Sequence, residues 1–247
     1  MNSKYTSVKP YNKDEGKTEQ LSRMFNTISH QYDRFNDIMS WGMAHVWRKN
    51  ALKRLAQFRP KRLLDIATGT GDICIHAFDF FEPEEVVGVD ISDRMMHIGQ
   101  EKVKTAKLDD KIRFEVQDCA QLNFSDNSFD AVTISFGIRN FEKLDESIDQ
   151  IRRVLRNDGK LMILEMNEPN KGFLYLGYKI YTRFFVKATS EYFSNDRSAY
   201  DYLTASMHAF ASGPDLIKIL ESHGFKLLTF RKFTLGVCSV YLLDANK

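Results

Sequence analysis

The stretch LLDIATGTGD, Leu63 to Asp72, carries an apolar run, an acid and two closely spaced glycines. The apolar residues of Arg62 to Ile66 predict a buried strand. Gly69 and Gly71 permit a tight turn with close backbone approach to a ligand, and Asp72 begins a helix whose first amides face that turn. The stretch therefore predicts a strand, a turn and a helix that together hold a nucleotide cofactor.

A second acid stands where a ribose contact is expected. Val86 to Val89 predict the next strand, and Asp90 follows it, 19 positions after Gly71. In such folds an acid about 20 residues beyond the glycine turn accepts hydrogen bonds from a ribose diol. The spacing therefore makes Asp90 a candidate cofactor-binding residue.

The turn disfavours a dinucleotide, because it lacks the third glycine of G-x-G-x-x-G that admits a pyrophosphate. Asp65, ahead of the turn, would repel a phosphate and suits a cationic ligand. The pattern D-x-A-T-G-T-G-D resembles motif I of the class I S-adenosylmethionine methyltransferases, with Ala67 where a glycine is common. This resemblance implies contacts to the methionine end of that cofactor from Asp65, Gly69 and Gly71. A strand, turn and helix without a ligand is the alternative, since short motifs recur by chance.

Composition indicates one enzyme-sized unit without a nucleic-acid partner. The 247 residues include 35 Lys and Arg and 33 Asp and Glu, interspersed, with a net charge of +2. These charges leave no basic face for nucleic acid. The three cysteines lack the spacing of a disulfide framework or a metal site. No run reaches the roughly 20 apolar residues of a membrane span, and the polar start lacks a signal-peptide pattern. We therefore expect a cytoplasmic protein, and the alternative is a protein that contacts the inner membrane face peripherally.

The pattern of strands predicts the fold class. Five predicted strands alternate with helical segments, at 62–66, 86–89, 112–117, 129–136 and 160–166. This alternation indicates a parallel sheet wrapped by helices. Two further strands, at 226–233 and 236–243, should pair antiparallel at a sheet edge. We therefore predict an α/β fold with a mostly parallel, seven-stranded sheet.

The chain divides into a tail and a single domain. Residues 1–20, rich in Lys, Asn and Glu, predict a disordered polar N-terminus. The remainder, 21–247, predicts one domain that opens with N-terminal helices over 21–58. A helical, aromatic-rich region at about 170–211 interrupts the alternation where a substrate-covering cap could be inserted.

Polar residues follow the third and fourth predicted strands, at the sheet edge where such folds bind ligands. Asp118 and Cys119 follow the third strand. Asp118 can accept the amino group of an adenine or cap the next segment, and spacing leaves both open. Ser135 closes the fourth strand, and Arg139 and Asn140 follow it. For Arg139 the spacing allows either a ligand site or a surface ion pair.

Longer motifs are similar to those of the ubiquinone/menaquinone biosynthesis C-methyltransferases, from about residue 21 to 243. YDRFNDIMSWGMAHVW, Tyr32 to Trp47, resembles one family signature, with Phe35 and Ala44 in place of its Met and His. RVLRNDGKLMILEMN, starting at Arg153, resembles a second, from which it departs at Arg156, Asn157, Asp158 and Asn167. SFGIRN, Ser135 to Asn140, and an element near 198–203 also match.

The resemblance implies the class I S-adenosylmethionine-dependent methyltransferase fold, which is Rossmann-like. It also implies methyl transfer from S-adenosylmethionine to a ring carbon of a prenylated hydroquinone, demethylmenaquinol or its ubiquinone-pathway counterpart. The cofactor contacts that it implies are Thr70, Asp90, Asp118, Cys119 and Ser135. A methyltransferase for oxygen or nitrogen of another small molecule, and a noncatalytic cofactor-binding scaffold, stay open as alternatives.

The implied chemistry needs no metal, but it needs a carbon nucleophile, formed when a ring hydroxyl loses its proton. Arg139 is the candidate stabiliser of the resulting oxyanion, because a guanidinium keeps its charge, and Asn140 can add a donor. The candidate bases are a water, Tyr32, Tyr200 and His45.

A long isoprenoid tail requires an apolar route. The aromatic segment Phe173 to Phe193 fits core packing, a tail groove or a membrane-contacting surface, and Trp41 allows the same interpretations. We therefore expect peripheral membrane contact. Head group, tail length and oligomeric state stay open, with a homodimer among the options.

Overall fold

A computed structural model describes residues 3–12, 14–167 and 197–246. Its single sheet has seven strands, which are β1 Arg62–Ile66, β2 Glu85–Asp90, β3 Ile112–Val116, β4 Phe129–Ser135, β5 Leu155–Met166, β6 Lys226–Phe233 and β7 Cys238–Asp244. Their order is β3-β2-β1-β4-β5-β7-β6. β1 to β5 run parallel, and β7 runs antiparallel between β5 and the edge strand β6. The predicted α/β class, the mostly parallel seven-stranded sheet and the antiparallel final pair are confirmed.

The α-helices of the described residues are α1 Lys17–Ser40, α2 Met43–Leu55, α3 Asp72–Ala77, α4 Asp93–Thr105, α5 Leu144–Val154, α6 Arg197–Ala209 and α7 Pro214–Ser222. Most of the predicted cap at about 170–211, including the aromatic segment at 173–193, lies outside the described residues. Within the described ranges, no helix combines the length and apolar character that a membrane crossing requires.

The first helix begins before residue 21, the boundary predicted for the domain. The backbone N–H groups of Lys17 and Thr18 donate to the two carboxylate oxygens of Glu142, at 3.0 and 2.9 Å. A distant acid therefore satisfies the free amides at the start of α1, and also suits the positive end of its dipole. Thr6, within the segment 1–20, is buried as well.

The sheet separates two apolar layers. Leu64 and Ile66 of β1 face a cluster completed by α5 and α7, whereas Leu63 faces a cluster completed by α2 and α3. Alternate side chains of a strand point to opposite faces, so both faces of the sheet are buried. A third cluster packs α1 against α6. These layers do not cover the carboxyl ends of β1, β2 and β4, and α1 passes over those strand ends.

Candidate active site

The turn between β1 and α3 is built from residues in the left-handed backbone region. Ala67, Gly69 and Gly71 have φ angles of 54°, 56° and 79°. Glycine adopts this region freely, whereas Ala67 carries about 1–2 kcal/mol of strain. The Gly71 N–H donates to the Thr68 carbonyl at 3.0 Å, and a side chain added at Gly69 would meet nothing within 4 Å. The predicted glycine turn is present, and it is open at Gly69.

Above the turn lies a cavity of about 70 Å³, which we call the small cavity. The carboxyl ends of β1, β2 and β4 surround it, and α1 covers it. Five of the residues predicted to bind the cofactor line it, namely Gly69, Asp90, Asp118, Cys119 and Ser135. Asp65, Thr70 and Gly71 lie outside its lining.

Two backbone donors hold Asp90 at the end of β2. Its Oδ2 accepts the Gly69 N–H at 2.8 Å, and its Oδ1 accepts the Ser92 N–H at 2.9 Å. Burial raises the pKa of Asp90, and the backbone donors offset this rise only in part. A carboxylate offers about four acceptor positions, so acceptor positions remain beside the small cavity. These suit the paired hydroxyls that the spacing predicts.

Asp65 supports the turn from the side away from the small cavity. It is 1% exposed, and it accepts the hydroxyl of its neighbour in β4, Thr133, at 2.6 Å. The Cys74 thiol donates to its other oxygen at 3.7 Å. Burial raises the pKa of Asp65 to about 6. These bonds tie β1 to β4 and α3, so in this structure Asp65 positions the turn.

The residues after β3 and β4 differ in what they present to the small cavity. Asp118 accepts the Ala120 N–H at 2.9 Å, so one of its oxygens caps the following turn. The buried Cys119 thiol donates to the Ser147 carbonyl at 3.9 Å, and burial raises its pKa. In contrast, the Ser135 hydroxyl is buried and has no hydrogen-bond partner among the described residues. Buried polar groups usually have a hydrogen-bond partner, so this hydroxyl is free to bond to a ligand or a water molecule.

Thr70 joins a polar cluster that holds α1 over the turn, which we call the latch cluster. Its Oγ1 donates to Asp33 Oδ1 at 2.6 Å. Lys102 Nζ donates to Thr70 Oγ1 at 3.2 Å, to Asp33 Oδ2 at 3.1 Å, and also to Asp72. No sequence spacing predicts this cluster, although Asp33 directly follows Tyr32 in the quoted YD motif.

A second, larger cavity of about 450 Å³ adjoins the small one, and we call it the large cavity. Its walls come from α1, α2, α6, the segment after β4 and the turn between β6 and β7. Apolar and aromatic side chains make up most of this lining. The residues that line both cavities are Phe25, Tyr32, Phe136 and Asn140. The small cavity, with Asp90, Asp118 and Ser135 in its wall, therefore shares part of that wall with the mostly apolar large cavity.

Arg139 forms a buried ion pair in the wall of the large cavity. Arg139 and Glu165 are 6% and 1% exposed. Arg139 Nη1 donates to Glu165 Oε1 at 2.5 Å and to the Phe136 carbonyl at 2.6 Å. Burial raises the pKa of Glu165, and Arg139 opposes this rise. Among the described residues, Arg139 Nε and Glu165 Oε2 lack hydrogen-bond partners. Arg139 thus has an ion-pair partner, as spacing allowed, but the pair lies in the interior beside a cavity.

Asn140 and two tyrosines complete the polar wall. The Tyr202 hydroxyl donates to Asn140 Oδ1 at 3.0 Å. Burial raises the pKa of Tyr32 and of Tyr202, so both hydroxyls stay protonated at neutral pH. Both therefore serve as hydrogen-bond donors better than as bases.

The structure does not place the other two candidate bases, His45 and Tyr200, in either cavity wall. His45 pairs with Asp37 at 2.8 Å, and it is not among the residues that line either cavity. The side chain of Tyr200 lies outside the described part of the chain.

Two further cations escape sequence reasoning. Lys17, 1% exposed, donates through Nζ to the carbonyls of Thr6 and Arg139, at 3.1 and 3.0 Å. Burial lowers the pKa of Lys17 to about 8. Arg48 lines the large cavity and pairs with Asp72 at 3.1 Å. No local sequence pattern points to Lys17, because its hydrogen-bond partners lie 11 and 122 positions away. Arg48, in contrast, directly follows the family-like stretch Tyr32 to Trp47.

Comparison with known proteins yields a family match along most of the chain. The model of the "ubiE/COQ5 methyltransferase family" matches residues 13–243. A protein of Bacteroides fragilis named "Demethylmenaquinone methyltransferase" is 41% identical over 98% of both chains. One of the same name from Porphyromonas gingivalis is 39% identical, over 95% of this chain and 96% of the relative. A Dinoroseobacter shibae protein named "Ubiquinone/menaquinone biosynthesis C-methyltransferase UbiE" is 33% identical, over 93% of this chain and 92% of the relative.

Solved structures are similar in fold. The [4+2]-cyclase SpnF superposes with a TM-score of 0.68 at 14% identity, over 92% of this chain and 95% of that one. A SAM-dependent methyltransferase of Thermotoga maritima gives 0.62 at 17% identity, over 92% and 100%. One from Aquifex aeolicus gives 0.61 at 14% identity, over 86% and 97%. These values place the fold among class I methyltransferases.

Proposed function

The chain belongs to the ubiE/COQ5 methyltransferase family, and from this premise we propose that it methylates a ring carbon of demethylmenaquinol, with S-adenosylmethionine as the methyl donor. The single observation that carries the proposal is a pair of cavities that share part of their walls, a small one beside Asp90 at the end of β2 and a large one with a mostly apolar wall. A reaction between a polar cofactor and an apolar acceptor requires such neighbouring compartments.

The residues around the small cavity fit S-adenosylmethionine. Asp90 keeps acceptor positions for the ribose hydroxyls, the Ser135 hydroxyl needs a partner, and the space at Gly69 admits a ligand against the backbone. When bound there, the cofactor would supply an electrophilic methyl group on a sulfonium sulfur. The small cavity, about 70 Å³, is well below the roughly 300–1,000 Å³ of ligand pockets. The whole cofactor therefore needs more space than this cavity offers, and a neighbouring open cavity of about 660 Å³ shares Thr18, Ile91, Gln117 and Asp118 with it.

The large cavity suits the acceptor. Its volume of about 450 Å³ falls within the roughly 300–1,000 Å³ of small-molecule sites, and its wall is mostly apolar. A naphthoquinol ring and the first part of an isoprenoid tail can be enclosed there. The rest of a long tail has to leave through the mouth of this cavity.

We assign the stabilisation of the ring oxyanion to Arg139. C-methylation requires a ring hydroxyl to lose its proton, so that negative charge reaches the carbon that attacks. Arg139 lines the large cavity, and its guanidinium Nε has no hydrogen-bond partner among the described residues. Glu165 is a positioning residue, because it fixes the guanidinium and balances its charge. Asn140, held by Tyr202, adds a neutral donor or acceptor at the shared wall.

The proton acceptor that fits best is a water molecule in the large cavity. Tyr32 stays protonated, so we assign it the orientation of the ring through its hydroxyl. The hydroxyl proton passes to water before methylation. The ring carbon then loses its own proton to solvent, which restores aromaticity, and the product oxygen takes one proton back, so that one proton is released for each methyl group transferred. Enclosure of both reactants supplies proximity and alignment.

The experiment that tests this function is a methyl-transfer assay with S-adenosylmethionine labelled in its methyl group. Reduced demethylmenaquinone and the reduced, demethylated ubiquinone precursor are offered side by side, and label is followed into the lipid phase. We expect label on a ring carbon of the naphthoquinol, as seen by NMR of the product. The Asp90→Ala variant is the control for transfer that depends on the cofactor site. Label on oxygen, or no label in either quinol while cofactor binding is intact, would contradict the proposal.

A further inference from the structure

The two most exposed large apolar side chains of the described residues lie at the mouth of the large cavity. Trp41 is 75% exposed and Leu235 is 74% exposed, and both line that cavity. The other large apolar side chains that the structure records as exposed, Val46 on α2 included, are not among the residues that line this cavity. Large apolar side chains that are exposed beside the same cavity indicate contact with an apolar partner.

The backbone holds these two side chains outward. Trp41 ends α1 with a φ angle of 52°, and Thr234 and Leu235 have φ angles of 44° and 56° in the turn between β6 and β7. The Trp47 indole N–H donates to Thr234 Oγ1 at 2.8 Å, which ties this turn to α2. Bulky residues in the left-handed region are unfavourable and persist where neighbouring structure holds them. The turn that carries Leu235 is thus hydrogen-bonded to α2, and Trp41 lies between α1 and α2.

A basic side chain accompanies the apolar ones. Lys232 is exposed, and its Cδ lies 3.7 Å from the position that a Cβ would occupy at Gly236, so its stem follows the turn that carries Leu235. Val46, 46% exposed, lies on the outer face of α2, one residue before Trp47. Tryptophan, aliphatic residues and lysines together are typical of surfaces that sit at the boundary between lipid chains and head groups.

We propose that Trp41, Val46, Leu235 and Lys232, which we call the docking face, seat the protein on an anionic lipid bilayer with the mouth of the large cavity turned toward the lipid. The inference rests on the proposed function in one respect, because a prenylated quinol resides in the bilayer and its tail must leave the cavity. A second copy of the chain on this face would close that exit, whereas lipid continues the apolar path.

The two tryptophans of the chain provide a direct test, because Trp47 is only 4% exposed and serves as the internal reference. Protein without cofactor or substrate is mixed with vesicles of equal parts phosphatidylglycerol and phosphatidylcholine. We expect a blue shift of the emission and quenching by brominated lipid, both absent in Trp41→Gln, which retains Trp47. Wild-type emission that neither shifts nor is quenched would overturn the docking face.

Vesicle partition provides a second measurement with matched controls. Leu235→Asn, chosen because Asn tolerates the left-handed region, should weaken partition by about ten- to a hundredfold. Lys232→Gln should weaken it by about fivefold at low salt, and this difference should vanish at high salt. Leu228→Asn and Lys111→Gln, at exposed positions away from the cavity, should leave partition unchanged. Equal losses in the controls would refute the assignment, and thermal unfolding confirms that each variant is folded.

Activity separates failure of the docking face from failure of the proposed function. Val46→Gln with Lys232→Gln, both outside the cavity lining, should keep transfer to a tail-free demethylated naphthoquinol in solution. The same variant should lose most transfer to prenylated quinol embedded in vesicles. Equal loss on both substrates would contradict docking, as would a protein dimer that forms through this face without vesicle binding. If the wild type methylates neither quinol, the proposed function fails, and vesicle binding still decides the docking face.

Discussion

Removal of Glu165 should show how strongly the interior depends on the pair with Arg139. Glu165→Ala leaves a guanidinium that is 6% exposed without its carboxylate partner. Breaking a buried pair in this way costs about 3–5 kcal/mol, out of the roughly 5–15 kcal/mol that stabilise a typical domain. For a chain of this length, each kcal/mol lowers the midpoint of thermal unfolding by about 2–4 °C. The expected drop is therefore about 6–20 °C.

Circular dichroism during thermal and urea unfolding measures this drop. The matched control is Asp126→Ala, which removes an ion pair with Arg153 at 2.8 Å in which the Asp126 side chain is 67% exposed. That change should cost less than about 1 kcal/mol. The double variant Arg139→Met with Glu165→Met should recover most of the loss, because no charge stays buried. A drop for Glu165→Ala no larger than that of the control would refute the reasoning from burial.

The same double variant tests the role of Arg139. Turnover should fall by orders of magnitude, whereas affinity for S-adenosylhomocysteine should stay nearly intact, because Arg139 lines the large cavity and not the small one. Calorimetry with S-adenosylhomocysteine and the labelled-methyl assay measure the two quantities. A collapse of cofactor affinity in the folded double variant would show that the assigned role is wrong.

Three further predictions follow from single sites. Asp90→Ala should weaken S-adenosylhomocysteine binding by at least about tenfold, since each hydrogen bond to a charged acceptor contributes about 1.5–3 kcal/mol, and unchanged calorimetric affinity would exclude Asp90 as a ribose contact. Gly137→Ala should destabilise by about 1–3 kcal/mol, because its Cβ would lie 2.4 Å from that of Ala67. The control Gly16→Ala meets nothing closer than 3.8 Å and should cost less than about 1 kcal/mol, since Ala is only a poorer N-cap of α1 than Gly. The wild type should gain stability relative to Lys17→Met between pH 8 and 10.5. In this range the folded protein has released the Lys17 proton, because its pKa is about 8, while the unfolded chain holds the proton up to about 10.5. A stability difference in urea unfolding that does not change with pH would rule this out.

Local sequence determined the strands of the sheet, the glycine turn and the position of Asp90 at the end of β2. Alternation of apolar strands with helices reports burial within each segment, and the interval from Gly71 to Asp90 spans one helix and one strand whose lengths vary little. These features need no knowledge of distant residues. Because Ser135 follows a predicted parallel strand, its position at the same sheet edge could also be inferred.

Tertiary structure alone decided what the polar side chains do. Arg139 meets Glu165 across 26 positions, Thr70 meets Asp33 across 37, and Lys17 meets the Arg139 carbonyl across 122. Periodicity shows which face of an element is buried, but it carries no information about which distant element packs there. Hydrogen bonds reach only about 3 Å, so these partners are set by the packing of α1 and β5 around the cavities. The sequence could therefore name Arg139 as a candidate, but only the folded chain shows that its charge is buried, balanced by Glu165 and adjacent to an apolar cavity.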